Sequence, residues 1–121
     1  LGDGTTTDRN TPVAVELPAG AEVTAIAAAG IHSLALTSTG TVLAWGSNNV
    51  GQLGDGTTTN RSTPVEVNLP TGTAITTLAG GGGHSLALVA PTPTSTTTLQ
   101  VTPANPTADQ DITLTATVTC N

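Results

Sequence analysis

The 121-residue sequence has a formal net charge of −6, and apart from two histidines its only basic side chains are Arg9 and Arg61. Nucleic acids and anionic lipids are bound mainly through basic side chains that neutralise phosphate, so this composition argues against both as partners. The apolar residues are small and aliphatic, Trp45 is the sole aromatic, and no apolar run reaches the roughly 18 residues of a membrane span, which excludes an aromatic-centred core and membrane insertion.

From Leu1 the chain reads LGDGTTT, and from Leu53 it reads LGDGTTT again; HSLAL begins at His32 and at His84 with the same offset of 52 residues. A period of this size marks a repeat architecture, in which each unit buries its apolar face only against its neighbours. The first unit, about residues 1–52, is expected to hold four strands: PVAVEL from Pro12 to Leu17, VTAIAA from Val23 to Ala28, HSLALT from His32 to Thr37 and TVLAW from Thr41 to Trp45. The second, about 53–89, repeats them as Pro64 to Leu69, Ile75 to Ala79 and His84 to Val89, and lacks a fourth because the chain changes character at Ala90. Short strands at this spacing predict an all-β stack, and four per unit is the count of a propeller blade. Turn residues fall between them: Asp3-Gly4 and Asp55-Gly56 supply positive φ, Ser38-Thr39-Gly40 suits a hairpin, and Gly80 to Gly83 precedes the second HSLAL.

Residues 90–96 form a Pro/Thr linker, extended and poor in core-forming side chains. The remainder, 97–121, alternates strictly. Leu99 and Val101 share one strand face, Ile112, Leu114, Ala116 and Val118 share another, and TPANPTADQD connects them, as in the first two strands of a truncated β-sandwich. Because the repeat begins partway through one unit and the second unit stops after HSLAL, the segment is expected to be an excised piece with strand edges exposed on both sides. On its own it should be unstable or self-associating.

The stretch GSNNVGQLGDGTTTNRSTPVEV followed by ITTLAGGGGHSLALV resembles the repeat of the regulator-of-chromosome-condensation family. Matching positions include Trp45, Gly46, Asn48, Gly51, Gln52, Leu53, Gly54, Gly56, Pro64, Val67 and His84 to Leu88, with Pro12, Val15, Gly30 and His32 to Leu36 in the first unit. The resemblance implies about two of the seven four-stranded blades of a β-propeller, with neighbouring blades of the parent chain as the first packing partners. The tail, TTTLQVTPANPTADQDITLTATVT, resembles the start of a bacterial immunoglobulin-like repeat. That pairing implies a secreted or wall-attached bacterial protein, extracellular or at the cell surface.

The chemically inviting residues read better as architecture. His32 and Ser33 are adjacent in a strand and point to opposite faces, so they cannot serve as base and nucleophile. His32 and His84 are instead expected to pack, each bonded to a backbone carbonyl of a neighbouring strand or blade. Gly51-Gln52-Leu53-Gly54-Asp55-Gly56 and Gly80 to Gly83 lack the Lys-Ser/Thr and helix of a phosphate loop. One carboxylate in each DGTTT loop, Asp3 or Asp55, falls short of a calcium shell and suits a turn cap. Arg9 and Arg61 are expected to pair with nearby carboxylates or pack on the next blade, and Trp45 to pack between blades. Cys120 is a lone thiol, no Cys/His spacing suggests a metal, and no cofactor is expected. Asn60-Arg61-Ser62 matches a glycosylation sequon, relevant only in a eukaryotic secretory pathway.

Three functions follow. The first is a non-catalytic protein-interaction or structural scaffold with an unidentified protein partner. The second is guanine-nucleotide exchange on a small GTPase, as in the founding member of the family. The third is a secreted enzyme inhibitor, since some bacterial propellers that resemble this family block β-lactamases. No nucleophile, base and oxyanion donor converge in the sequence, so an enzyme is not expected.

Overall fold

The computed structural model describes residues 1–91, 95–103 and 112–120. They form eight strands: β1 (Val23–Ala28), β2 (His32–Thr37), β3 (Val42–Gly46), β4 (Arg61–Glu66), β5 (Ile75–Gly80), β6 (Ser85–Val89), β7 (Ser95–Pro103) and β8 (Ile112–Cys120). The chain divides into two compact units, Leu1–Ala90 and Pro91–Asn121.

In the first unit, β1 to β4 form one antiparallel meander, and β5 and β6 form a second sheet packed against it. These are partial propeller blades. The first blade has four strands, but not the four expected. PVAVEL from Pro12 to Leu17 forms no strand, and the outer position beside β3 is taken by β4, which comes from the second sequence repeat. The register explains this. Val65 pairs with Ala44 and Glu66 with Leu43, whereas no described strand pairs with PVAVEL. Pro64 is accordingly buried and Pro12 exposed. The outer strand also begins three residues earlier than the Pro64 start anticipated, at Arg61.

Alternation in β2 sorts its side chains onto two faces. Leu34 and Leu36, with Val42, Ala44 and Leu53, build a core shared with Ile75 and Leu78 of the second blade. On the opposite face Ala35, Leu43 and Trp45 are covered by Val15, Ala21 and Val23 from the segment that leads into the blade. Trp45 therefore packs on its own blade's leading arm, away from β5 and β6. The same repeat position differs in burial between copies. Leu53 is 1% exposed between the blades, and Leu1 is 64% exposed.

In the second unit, β7 and β8 pair antiparallel over their full length, with Leu99 opposite Ala116 and Val101 opposite Leu114. The TPANPTADQD connection between them lies largely outside the described residues, as do residues 92–94 of the Pro/Thr linker.

Candidate functional site

The junction between the two blades brings together His32, the Gln52 carbonyl and the start of the glycine run at Gly80. His32 opens β2 and faces the second blade, 4% exposed, with its Nε2 2.7 Å from the Ser85 hydroxyl. Ser85 Oγ donates to the Gln52 carbonyl at 2.8 Å. A serine hydroxyl has one proton, so the second contact fixes the first: His32 Nε2–H donates to Ser85 Oγ, and His32 Nδ1 carries no proton. That nitrogen is buried without a hydrogen-bond partner. Burial, and secondarily the charge of His84, hold the His32 pKa below its ordinary value, so the ring is neutral.

This places the histidine bond on a serine hydroxyl of the neighbouring blade, where a backbone carbonyl was expected. The two residues of the repeated His-Ser pair do not act on each other; His32 of one unit meets the serine of the next. The proton direction also opposes nucleophile chemistry, because Ser85 gives its proton to an amide oxygen and receives one from the imidazole. His84, the repeat counterpart of His32, is exposed.

Backbone contacts close the same junction. Gly30 N–H donates to the Gly81 carbonyl at 3.1 Å. A Cβ on Gly80 would lie 2.6 Å from Ala29 Cβ and 2.7 Å from the Ala28 carbonyl oxygen, and one on Gly30 would lie 2.9 Å from the Gly82 carbonyl oxygen. None of Gly80 to Gly83 has positive φ. The glycine run is thus needed for close approach of two blades at Gly80 and not for the turn that its position suggested.

A second cluster secures the loop between β3 and β4. Asn48 is fully buried, and its Nδ2 donates to Asp55 Oδ1 and to the carbonyls of Thr57 and Thr59, each at 3.0 Å. Its Oδ1 accepts from Leu53 N, also at 3.0 Å. Asp55 additionally accepts from the Thr57 amide and hydroxyl and, through Oδ2, from Arg61 Nε at 2.8 Å. The Thr57 hydroxyl, ahead of the smaller contributions of Arg61, the Thr57 amide and Asn48, lowers the Asp55 pKa to about 2. Asp3, Thr5 and Arg9 repeat the clasp, with Arg9 Nε 3.0 Å from Asp3 Oδ2, and the Asp3 pKa is also lowered, chiefly by the Thr5 hydroxyl. The turn glycines serve this loop. Gly51, Gly54 and Gly56 all have positive φ, and Gln52 Oε1 accepts from Val50 N at 3.0 Å. Gly46 follows Trp45 with φ +109, where a Cβ would lie 2.8 Å from His32 Cα and from the Ile31 carbonyl oxygen.

Asn48 is the hub that the sequence reading did not single out as a site residue. Its repeat counterpart would precede Leu1, so duplication gave it no emphasis; the signal was an Asn seven residues before a turn Asp. Ser85 likewise carries no local signal, since its partner lies 53 residues away. Among the described residues no three His, Cys, Asp or Glu side chains gather as a metal site.

A family model described as the regulator of chromosome condensation (RCC1) repeat matches residues 39–88, and a second model of that repeat matches residues 23–52. The chain is 40% identical over 87 residues to the E3 ubiquitin-protein ligase HERC2 of Homo sapiens, a match that covers 72% of this chain and 2% of that protein. Over the same length it is 39% identical to the mitochondrial RCC1 domain-containing protein RUG3 and 36% identical to the ultraviolet-B receptor UVR8, both of Arabidopsis thaliana, covering 20% of each. Human WBSCR16, a solved structure, superposes with a TM-score of 0.53 at 30% identity, over 57% of this chain and 17% of that one. The chain thus spans a fifth or less of the length of these relatives.

Proposed function

Since the chain carries regulator-of-chromosome-condensation repeats, we propose that it is a non-catalytic protein-interaction or structural scaffold within a secreted or cell-surface bacterial repeat protein. The observation that carries this reading is the use made of the inviting side chains. His32, Ser85 and Gln52 are joined in one inter-blade hydrogen-bond chain, and Asp55, Asn48 and Arg61 in one loop clasp. Every one of these polar groups holds repeat to repeat or loop to strand, leaving the apolar and backbone surface of the blades for contact with a protein. The alternating tail and its Pro/Thr linker support an immunoglobulin-like module following the propeller segment, and acidity with abundant Thr suits an extracellular surface.

Protease shaving of intact cells that express the parent protein tests this. Release of peptides from residues 1–90 into the medium is the expected result. Recovery of these peptides only from the cytosolic fraction would sink the surface assignment, and acceleration of nucleotide release from a small GTPase by the purified parent would replace the scaffold with an exchange factor.

A further inference from the structure

In the first blade, β3 lies beside β2 with Leu43 opposite Ala35, Trp45 opposite Ser33 and Gly46 opposite His32. Leu43 and Trp45 settle on the leading arm. Trp45 Nε1 comes so near Gly2 that a Cβ there would lie 2.7 Å from it, and Val15 packs alongside. The residues that receive this strand all recur 52 positions later as Gly54, Val67, Ser85 and Ala87. With Leu34 and Leu53 they line an open groove of about 370 Å³ between the blades.

The strand itself does not recur. The positions corresponding to Leu43, Trp45 and Gly46 are Ser95, Thr97 and Thr98, and these pair with Cys120, Val118 and Thr117 in the sheet of the second unit. Among the described strands β6 pairs with β5 alone, and Leu86, Ala87 and Leu88 are exposed. The groove therefore keeps the receiving half of a strand site whose donor half has been replaced in sequence.

We propose that this groove binds an extended segment of a partner polypeptide with the pattern Leu-X-Trp-Gly, added antiparallel to β6 with Leu opposite Ala87, Trp opposite Ser85 and Gly opposite His84. Backbone pairing along β6 supplies affinity, and alternate side chains supply specificity. The two large side chains, spaced two residues apart, enter the groove from one face of the added strand. Glycine is required after the Trp because Gly46 passes the His32 backbone with φ +109 and no room for a Cβ. The proposal rests on the scaffold reading and names the chemistry of its partner.

The test is fluorescence anisotropy of a dye-labelled GTVLAWGS peptide, the sequence of residues 40–47, titrated with the full 121-residue chain. Saturable one-to-one binding is expected. It should weaken at least tenfold when the peptide Trp is replaced by Ala or the Gly after it by Val, and at least tenfold in the Ala87→Glu chain. Ala87 is exposed, so that variant should keep the Trp45 emission and circular dichroism of the parent. No saturable binding, equal binding of the Trp→Ala peptide, or a β3-exchanged dimer that the peptide does not displace overturns the proposal. The scaffold reading fails on a different measurement, acceleration of nucleotide release from a small GTPase by the parent.

Discussion

His32 and Asp55 show how single side chains carry the coupling between repeats. A histidine whose pKa is lowered in the folded state is protonated more readily in the unfolded chain. Stability is therefore constant above the unfolded value of about 6.5 and declines as pH falls below it, through the folded pKa. Urea midpoints measured between pH 7.5 and 5 should fall for the parent chain and stay level for His32→Gln. Asp55 works in the opposite direction of charge but the same direction of pH. Its carboxylate is held at about 2 against an ordinary 3.8, so its stabilisation is present above 3.8 and lost as pH drops towards 2. Carboxyl titration by NMR should place Asp55 as an early-ionising side chain, and Asn48→Ala should raise its midpoint. Asn48→Ala should also destabilise by about 2 kcal/mol, because the buried Leu53 N–H and the Thr57 and Thr59 carbonyls lose their partner.

At the scale of elements, the glycine run before β6 separates into positions that matter and positions that do not. Gly80→Val forces a side chain into Ala28 and Ala29 of the first blade and should cost about 1–3 kcal/mol. Gly83→Ala, with nothing near its Cβ, should change the thermal midpoint little. Strand positions were legible in the sequence wherever apolar alternation was bounded by turns, as in VTAIAA, HSLALT and TVLAW. PVAVEL misled because alternation reports a half-buried strand only when a neighbour supplies the other half of the ladder; Pro12 to Leu17 has none here, whereas its copy from Arg61 finds β3. The partner of His32 was illegible for a related reason. A hydrogen bond that spans 53 residues leaves no local pattern, and the repeat marks the His-Ser pair in both copies without showing which partner either residue takes.

For the whole molecule, the two blades present matching but opposite surfaces. Leu1 and Ile26 are exposed on one side, and Leu86 and Leu88 on the other. Each is the repeat counterpart of a position that is packed at the junction between the blades, so one copy can stack on another in the same sense, a heterologous contact. Sedimentation velocity should show mass rising with concentration, and Leu88→Lys should suppress it; concentration-independent monomer would contradict this expectation. The family was legible because the motif is long and recurs at a fixed period. The groove beside β6 was not, because it exists only where Ser95 and Thr97 stand in place of a Leu and a Trp, a difference that means nothing until the receiving residues are seen together.

The outer strand of the first blade belongs to the second sequence repeat, and this has a mechanical consequence. An antiparallel meander of four strands admits the chain at the start of β1 and releases it at the end of β4, both at the same end of the sheet. Tension applied along the polypeptide therefore peels β4 from β3 one hydrogen bond at a time instead of shearing the ladder as a whole. Under a pulling force the repeats should unravel singly and at low load, each releasing about 180 Å of chain for its 52 residues.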